Sequence, residues 1–391
     1  MLRFQTAGES HGQALVAILS GIPAGLCIDF EYVNRELKRR QGGYGRGGRM
    51  KIESDAAQFL SGVRHGHTIG SPIALLISNH DWENWKEALA VEDSPETRAK
   101  HKALTRPRPG HADLAGCLKY NFQEARYVLE RASARETAAR VAAGAVAKLF
   151  LKEFEIEVAS HVVALGSVAL KDAQAPFEKV LALRATEDIV LSCVDAATEA
   201  RMKEEVDKAL EARDTVGGTF EVIAHGVPPG IGSCAQWDER LDGQLAQAVM
   251  SIQAIKAVEI GSGIEAAGRP GSQVHDEIGY NQENSRFTRK SNRAGGLEGG
   301  ISNGEDILVR GYVKPISTLR RPLESVDLQT RETATAAYER SDVCVVPAAG
   351  VVGEAMVALT IGRSFLEKFG GDSMLETKRN YSAYMEQVRR F

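Results

Sequence analysis

The pentapeptide Gly8-Glu9-Ser10-His11-Gly12 sets a carboxylate, a hydroxyl and an imidazole side by side between two glycines. All three side chains can hydrogen-bond or move protons. The glycines permit a tight turn and a close approach of backbone to a ligand. A second histidine, His111, lies in the arginine-rich stretch RPRPGHAD, which carries Arg106 and Arg108. Histidine is the usual proton shuttle near neutral pH. Further on, Arg340 and Asp342 precede the apolar run Val343 to Pro347, which reads as a strand. Burial there would raise the Asp342 carboxyl and let it take a proton, whereas at the surface the pair is an ordinary ion pair. Taken singly, each feature has a structural alternative: a polar hairpin turn, a satisfied histidine, a solvated ion pair.

The arginines are unevenly spread. RRQGGYGRGGRM, residues 39–50, holds Arg39, Arg40, Arg46 and Arg49 and no acid, in a chain whose net charge is −4. A mildly acidic protein with local arginine clusters suits a small anionic ligand held at defined points. His65 and His67 are spaced to share one face of a strand, but no third ligand lies near, so zinc is not expected. His275-Asp276-Glu277 lacks support in the same way. GSGIEAAG, residues 261–268, misplaces the third glycine of a dinucleotide fingerprint and lacks a clear preceding strand.

The elements that must position these groups mix short strands with helices and show no regular β-α-β rhythm or fixed-period repeat. Leu2 to Ala7 and Ala14 to Ile18 read as strands flanking the pentapeptide, and residues 28–38 as a helix ending at Gln41-Gly42-Gly43. Ser133 followed by Glu136 has the spacing of a capping box, with Ala134, Ala138, Val141, Ala145 and Leu149 as the apolar stripe of the helix behind it. Arg131 and Arg135 sit at its positive end, where phosphate or carboxylate is attracted. Residues 181–195 mix helix with strand, and Asp195 caps a helix to about Arg213. GGTFEVIAH and DILVRGYV read as strands, and Trp237 to Val258, with Leu241, Leu245, Val249, Ile252 and Ile255 at helical spacing, as one helix stopped by Gly261. No linker divides the 391 residues, so one α+β domain with long functional loops is expected.

Hydrophobic residues make up 43% and charged residues 26%, ordinary for a globular chain. No apolar run approaches the roughly 18 residues that span a bilayer, and no charged-then-apolar leader is present, so a cytoplasmic protein without membrane contact is expected. Five cysteines with no C-x-x-C spacing read as buried free thiols in a reducing compartment.

In order, GESHG, RRQGGYGRGGRM, RPRPGHAD, RASARETAARVAAGAVAK, GGISNGEDI, KPIST and RSDVCVVPAAGVVGEAM resemble the chorismate synthase family across nearly the whole chain. The resemblance implies a single domain over residues 1–391, built as a β-α-β sandwich with a central antiparallel-sheet core flanked by helices. It implies a homotetramer and a lyase of the shikimate pathway, leading to the aromatic amino acids. The reaction is an anti 1,4-elimination of phosphate from 5-enolpyruvylshikimate 3-phosphate to give chorismate. Reduced FMN is required without net redox change, and NADPH is the reductant in members that reduce their own flavin.

The chemistry fits the residues already singled out. Two carboxylates and a phosphate call for several cations, which Arg40, Arg46, Arg49, Arg108, Arg135 and Arg340 could supply. The C–H bond to be broken is not acidified by a carbonyl, so the cofactor carries the hard step. By resemblance, His11 serves the leaving phosphate, His111 the flavin ring, and Asp342 takes a proton late in the cycle. Ser10 contacts substrate. The implied flavin contacts are Arg131, Ala132, Ser133, Gln253, Ala254, Gly299, Lys314, Pro315, Ile316, Ser317, Thr318 and Arg340. Ala132 replaces a serine common in relatives, and Gln253 is not the commonest residue there. Arg40 and Arg46 serve either substrate or nicotinamide. Two other readings compete. One is an RNA or single-stranded DNA binder built on the arginine-glycine stretch with Tyr44, which the negative total charge opposes. The other is a flavoprotein oxidoreductase.

Overall fold

Residues 346–369 are apolar on every side, and a helix of that composition belongs inside a protein. In the computed structural model, which describes residues 1–47, 54–171, 175–185, 190–283, 286–339 and 342–391, they form the helix Val346–Phe369, buried along nearly its whole length. Pro347 opens it at a position that needs no N–H donor. A second helix, Thr137–Lys152, rich in alanine and valine, lies against it. Their contact is so close that a Cβ on Gly144 would stand 2.3 Å from the Ala355 Cβ.

Two antiparallel sheets enclose these helices. The first has the strand order Arg3–Ala7, Ala14–Ser20, Ile73–Ser78, Gln58–Phe59. Leu15 pairs with Ile77, Ala17 with Leu75 and Leu19 with Ile73, and this buried row faces the 137–152 helix. The second sheet runs Ile255–Ile260, Ile307–Val313, Gly218–His225, Glu157–Leu165, Val168–Ala169 and packs on the 346–369 helix. The α+β class therefore holds, and so does the β-α-β sandwich, but the core is not a sheet flanked by helices. Helices occupy the middle and sheets lie outside them. The cause is the all-round apolar surface of residues 346–369, which only an interior position can cover.

The helix Phe30–Gln41 joins the central layer. Asp29 caps it, accepting from Tyr32 N at 2.9 Å. Where the central helices meet the second sheet, charges are buried together. Arg39 donates to Glu354 at 2.8 and 2.9 Å and to Glu36 at 2.9 Å; Lys148 bonds both carboxylates; Arg184 and Ser160 also reach Glu354, at 3.0 and 2.7 Å. Arg39 thus points into the core and not toward an external ligand.

Several boundaries differ from the periodicity. The helix at 241 ends at Met250, and Ile255–Ile260 is a strand, because it pairs with Ile307–Val313 at the edge of the second sheet. That strand precedes GSGIEAAG, so only the glycine spacing argues against the dinucleotide reading. Residues 190–194 form no strand, whereas Asp195 does cap Ala196–Glu211, accepting from Thr198 N at 2.7 Å. Ser133 accepts from Arg135 N at 3.2 Å, but Glu136 turns away from it, so there is no capping box. Residues 343–345 lead directly into the 346–369 helix and not into a strand. His65 occupies a turn with φ of 48°, and no metal-binding cluster occurs among the described residues. Cys117, Cys193 and Cys344 are buried, whereas Cys27 and Cys234 are exposed. The 346–369 helix is long and apolar enough to cross a bilayer, but it is packed inside the protein.

Candidate functional site

The pentapeptide is the turn between strands Arg3–Ala7 and Ala14–Ser20. Gly8 has φ of 101°, and a Cβ there would meet the Ala14 carbonyl at 2.3 Å, so glycine is required. The turn is clamped by the helix Arg126–Ala132. Ser10 N donates to the Glu130 carbonyl at 2.9 Å, and His11 N to Glu130 Oε2 at 2.8 Å. His11 Nδ1 lies 2.9 Å from Glu130 Oε1. The His11 ring stacks on Trp85, with centroids 4.1 Å apart. Ser10 and Ser133 hydroxyls are 3.1 Å apart. Arg131 donates to Gly8 O at 3.1 Å and Thr6 O at 3.0 Å, holding the strand end.

Behind this turn lies a row of buried cations. Asn79 Nδ2 donates to Gly12 O at 2.6 Å, and its Oδ1 accepts from Arg135 Nε at 2.9 Å. Arg135 Nη1 reaches both oxygens of Asp55, at 2.7 and 2.8 Å, and Arg40 Nη2 reaches Asp55 Oδ2 at 2.9 Å. Arg40 is 4% exposed, and its Nε has no hydrogen-bond partner among the described residues. Burial pushes its guanidinium down to about 10; Asp55 opposes this, while Arg135 and Arg46 add to it. Burial works against the Asp55 carboxylate too, but Arg40 and Arg135 outweigh it and hold Asp55 below its usual range.

Arg46 and Asp342 meet nearby, with Arg46 Nη1 2.6 Å from Asp342 Oδ2 and Gly47 N donating to Oδ1 at 2.6 Å. Asp342 is thus placed at the approach to the 346–369 helix.

The second histidine loop is built around Asp113, whose side chain is fully buried. Arg108 donates to it through Nε at 2.8 Å, Nη2 at 3.1 Å and its backbone N at 3.0 Å. His111 Nδ1 lies 2.5 Å from Asp113 Oδ1. Burial would raise the Asp113 carboxyl, but the His111 and Arg108 hydrogen bonds hold it far below the carboxylate range. Arg108 Nη1 also donates to Thr318 at 2.9 Å, so this loop packs on residues 314–318.

A chain of contacts joins the two regions. Lys314 N donates to Ala254 O at 2.9 Å. Ala254 sits in the left-handed region, φ 69°, a strained position for a residue with a Cβ. Gln253 Nε2 donates to Glu136 Oε2 at 3.2 Å, Glu136 Oε1 accepts from Thr6 at 2.6 Å, and Thr6 leads back to Arg131 and the pentapeptide. Gln253 Oε1 is buried without a partner among the described residues. Beside it opens a cavity of about 450 Å³, lined by Thr6, Arg131, Glu136, Arg140 and Ser251 among others. Burial pushes the Lys314 ammonium down, and Lys256 adds to this.

One connected set therefore holds Ser10, His11, Arg40, Arg131, Ser133, Arg135, Gln253, Ala254, Lys314 and Thr318, with Arg108 and His111 joined through the last of these. Ala132, Pro315, Ile316 and Ser317 are chain neighbours of its members. Gly299 is not drawn in. It occupies a turn with φ of 60° beside Cys234, near the start of the helix Leu241–Met250, whereas Gln253 follows the end of that helix. Arg49 and Arg340 lie outside the described residues. The sequence reading missed Asp55, Asn79, Asp113, Glu130 and Glu136, the partners that hold the cations and imidazoles. Their only signals were adjacency for Glu130 and Glu136 and a two-residue spacing from His111 for Asp113.

The chorismate synthase family profile matches residues 2–366. Chorismate synthase of Acidobacterium capsulatum is 66% identical over the full length of both chains, and that of Koribacter versatilis 63% over the same extent. A crystal structure of chorismate synthase superposes with a TM-score of 0.79 at 45% identity, covering 100% of this chain and 99% of that one.

Proposed function

The chain belongs to the chorismate synthase family, and we propose that the network around the pentapeptide turn is where it eliminates phosphate from 5-enolpyruvylshikimate 3-phosphate to give chorismate. It is a carbon–oxygen lyase. The observation that carries the siting is the row of contacts from Gly12 through Asn79 and Arg135 to Asp55 and Arg40. That row puts buried guanidiniums behind the same turn that presents Ser10 and His11. Two carboxylates and a phosphate are anions that such donors suit. An acceptor brought to Arg40 would occupy its unpartnered Nε and offset the burial that depresses it.

The residues present also suit reduced FMN. Gln253 Oε1 is a buried acceptor in need of a donor, and an isoalloxazine ring offers one. Ala254 adjoins Gln253 and accepts from Lys314 N at 2.9 Å, and with Arg131, Ser133 and residues Lys314 to Thr318 it would hold the cofactor. When bound, reduced flavin supplies an electron to the substrate and recovers it, so that a C–H bond is broken without net oxidation. The protein's own part is proton management and charge. His11 gives a proton to the departing phosphate; His111 keeps a proton directed at the flavin; Asp342 accepts one at its carboxylate late in the cycle. Arg46, salt-bridged to Asp342, holds that carboxylate in place. Arg108 stands in the His111 loop, with Arg49 and Arg340 as further substrate cations.

We also infer a homotetramer in the cytoplasm, with NADPH as reductant where the enzyme reduces its own flavin. The exposed apolar side chains Ile18, Ile278, Tyr280 and Phe287 are the kind of surface that subunit contacts cover, and the five unpaired cysteines fit a reducing compartment.

The deciding experiment is anaerobic. Purified protein, reduced FMN and substrate should yield chorismate absorbance and one phosphate per turnover, with the flavin unconsumed. Absence of product overturns the activity. Stoichiometric flavin oxidation would make the protein an oxidoreductase instead.

A further inference from the structure

The two histidines sit in matching three-member arrays. In the first, Glu130 Oε1 lies 2.9 Å from His11 Nδ1 and 3.4 Å from Arg126 Nη1, while Oε2 accepts the His11 backbone N–H at 2.8 Å. In the second, Asp113 Oδ1 lies 2.5 Å from His111 Nδ1 and 3.1 Å from Arg108 Nη2, while Oδ2 accepts the Arg108 backbone N–H at 3.0 Å. The carboxylate is 119 residues from its histidine in one array and 2 in the other. No shared local motif can have produced both.

An ionised carboxylate only accepts hydrogen bonds. Both carboxylates are buried, with side-chain exposures of 1% and 0%, and each is approached by a backbone N–H and an arginine besides the ring. The arginine and the ring hydrogen bond hold Glu130 ionised against its burial, and the same is true of Asp113. The ring nitrogen facing such a group carries the proton, which leaves Nε2 as the atom that exchanges one. At His111, Arg108 Nη2 also lies 3.0 Å from Nδ1, but the closer approach of Asp113 Oδ1, at 2.5 Å, favours the donor form there. Stacking on Trp85 holds the His11 plane as well.

We propose that Glu130 and Asp113 are positioning residues: each fixes its histidine as the Nδ1–H tautomer, so that His11 and His111 exchange protons at Nε2. This rests on the proton-exchanging roles given to the two histidines above.

Imidazole nitrogen resonances of the intact, 15N-histidine-labelled enzyme read the tautomers directly, with His11→Ala and His111→Ala identifying the signals. The expected result is a protonated Nδ1 in both rings; a dominant Nε2–H neutral form in either ring overturns the proposal for that ring, whether or not any carboxylate variant folds. Glu130→Gln cannot accept at both former oxygens, so the ring and the backbone N–H compete for one acceptor. Its expected effect is a tautomer change at His11, a fall in kcat of about tenfold or more, and substrate KM within about twofold. Asp113→Asn should act likewise on His111. Unchanged kcat and tautomer in these variants, while His11→Ala and His111→Ala are inactive, overturns the positioning role. Full turnover in the alanine variants instead overturns the roles assigned to the histidines and leaves the tautomer assignment standing on its own spectrum.

Discussion

Asp55 stands between Arg40 and Arg135, its Oδ2 2.9 Å from Arg40 Nη2 and 2.8 Å from Arg135 Nη1. One buried carboxylate therefore bridges two buried guanidiniums. An anionic substrate brought beside them would add to the negative charge that Asp55 supplies. Asp55→Asn should cost about 3–5 kcal/mol of stability, the usual result of leaving buried charges uncompensated. Denaturant unfolding checks this. Saturating substrate should recover more stability in the variant than in the parent, since its charges then replace the missing one.

Arg40 is one end of that bridge. Its depressed guanidinium means that the unfolded chain binds more protons than the folded chain between about pH 10 and the ordinary arginine range. Stability contributed by this group therefore rises with pH only there, and at neutral pH the full burial penalty persists until an anion arrives. Arg40→Met should weaken substrate binding by about 1.5–3 kcal/mol, the worth of a charge-assisted hydrogen bond. Equilibrium titration of substrate onto the FMN-loaded protein measures it. An unchanged Kd would place the anion elsewhere.

Asp342 accepts from Gly47 N and from Arg46, so Asp342→Asn retains one acceptor oxygen and the shape of the site. If its carboxylate takes a proton in the cycle, the variant should keep its fold and both ligand affinities while kcat falls about 10²–10⁴-fold. Normal turnover in a folded, ligand-binding variant removes that role. For His11→Ala and His111→Ala a loss of the same size is expected, with an altered pH–rate profile.

Asp55, Asp113 and Glu130 are all held below the ordinary carboxylate range. Unfolded, they bind protons near pH 4; folded, they do so only at lower pH. Between those values the unfolded chain binds more protons, so the stability from these groups is complete above about pH 4–5 and is lost as pH falls through the folded values. Melting temperature against pH should be flat in this contribution at neutral pH and fall steeply below about pH 4. Asp113→Asn should flatten part of that fall.

Much of this was legible in the residue pattern, and the remainder was not for identifiable reasons. The pentapeptide at a strand end, the Asp195 cap and the strand from Ile307 follow from local chemistry and period, and the structure has all three. Layer order came from the family resemblance and not from the pattern, because periodicity says that residues 346–369 are buried without saying which layer buries them. The Leu241 to Ile255 pattern ran two elements together because Ile252 and Ile255 serve a turn and a strand at spacing that continues the helix. The partners of the site were hidden for another reason. Asp55, Glu130 and Asp113 are acidic residues of ordinary appearance, and only the fold shows that each lies under a cation or an imidazole.

The closeness of the two central helices gives a last test, because the site depends on it. Thr137 begins the helix that Gly144 presses against the 346–369 helix; its hydroxyl lies 3.4 Å from Arg40 Nη1, and Arg135 lies in the turn Ala134–Glu136 that leads into that helix. A Cβ on Gly144 would lie 2.3 Å from the Ala355 Cβ and 2.6 Å from its Cα, and backbone cannot move aside as a side chain can. Gly144→Ala should therefore lose about 1–3 kcal/mol to overpacking despite alanine's better helix propensity. It should also weaken substrate binding, by displacing the helix start that follows Arg135 and contacts Arg40. Gly243→Ala is the contrast: it lies in the helix Leu241–Met250, and its added Cβ would meet only Trp237 O, at 3.9 Å. That variant should gain about 0.5–1 kcal/mol from propensity alone. Thermal melts and substrate titrations of both separate helix propensity from the packing that sets the site.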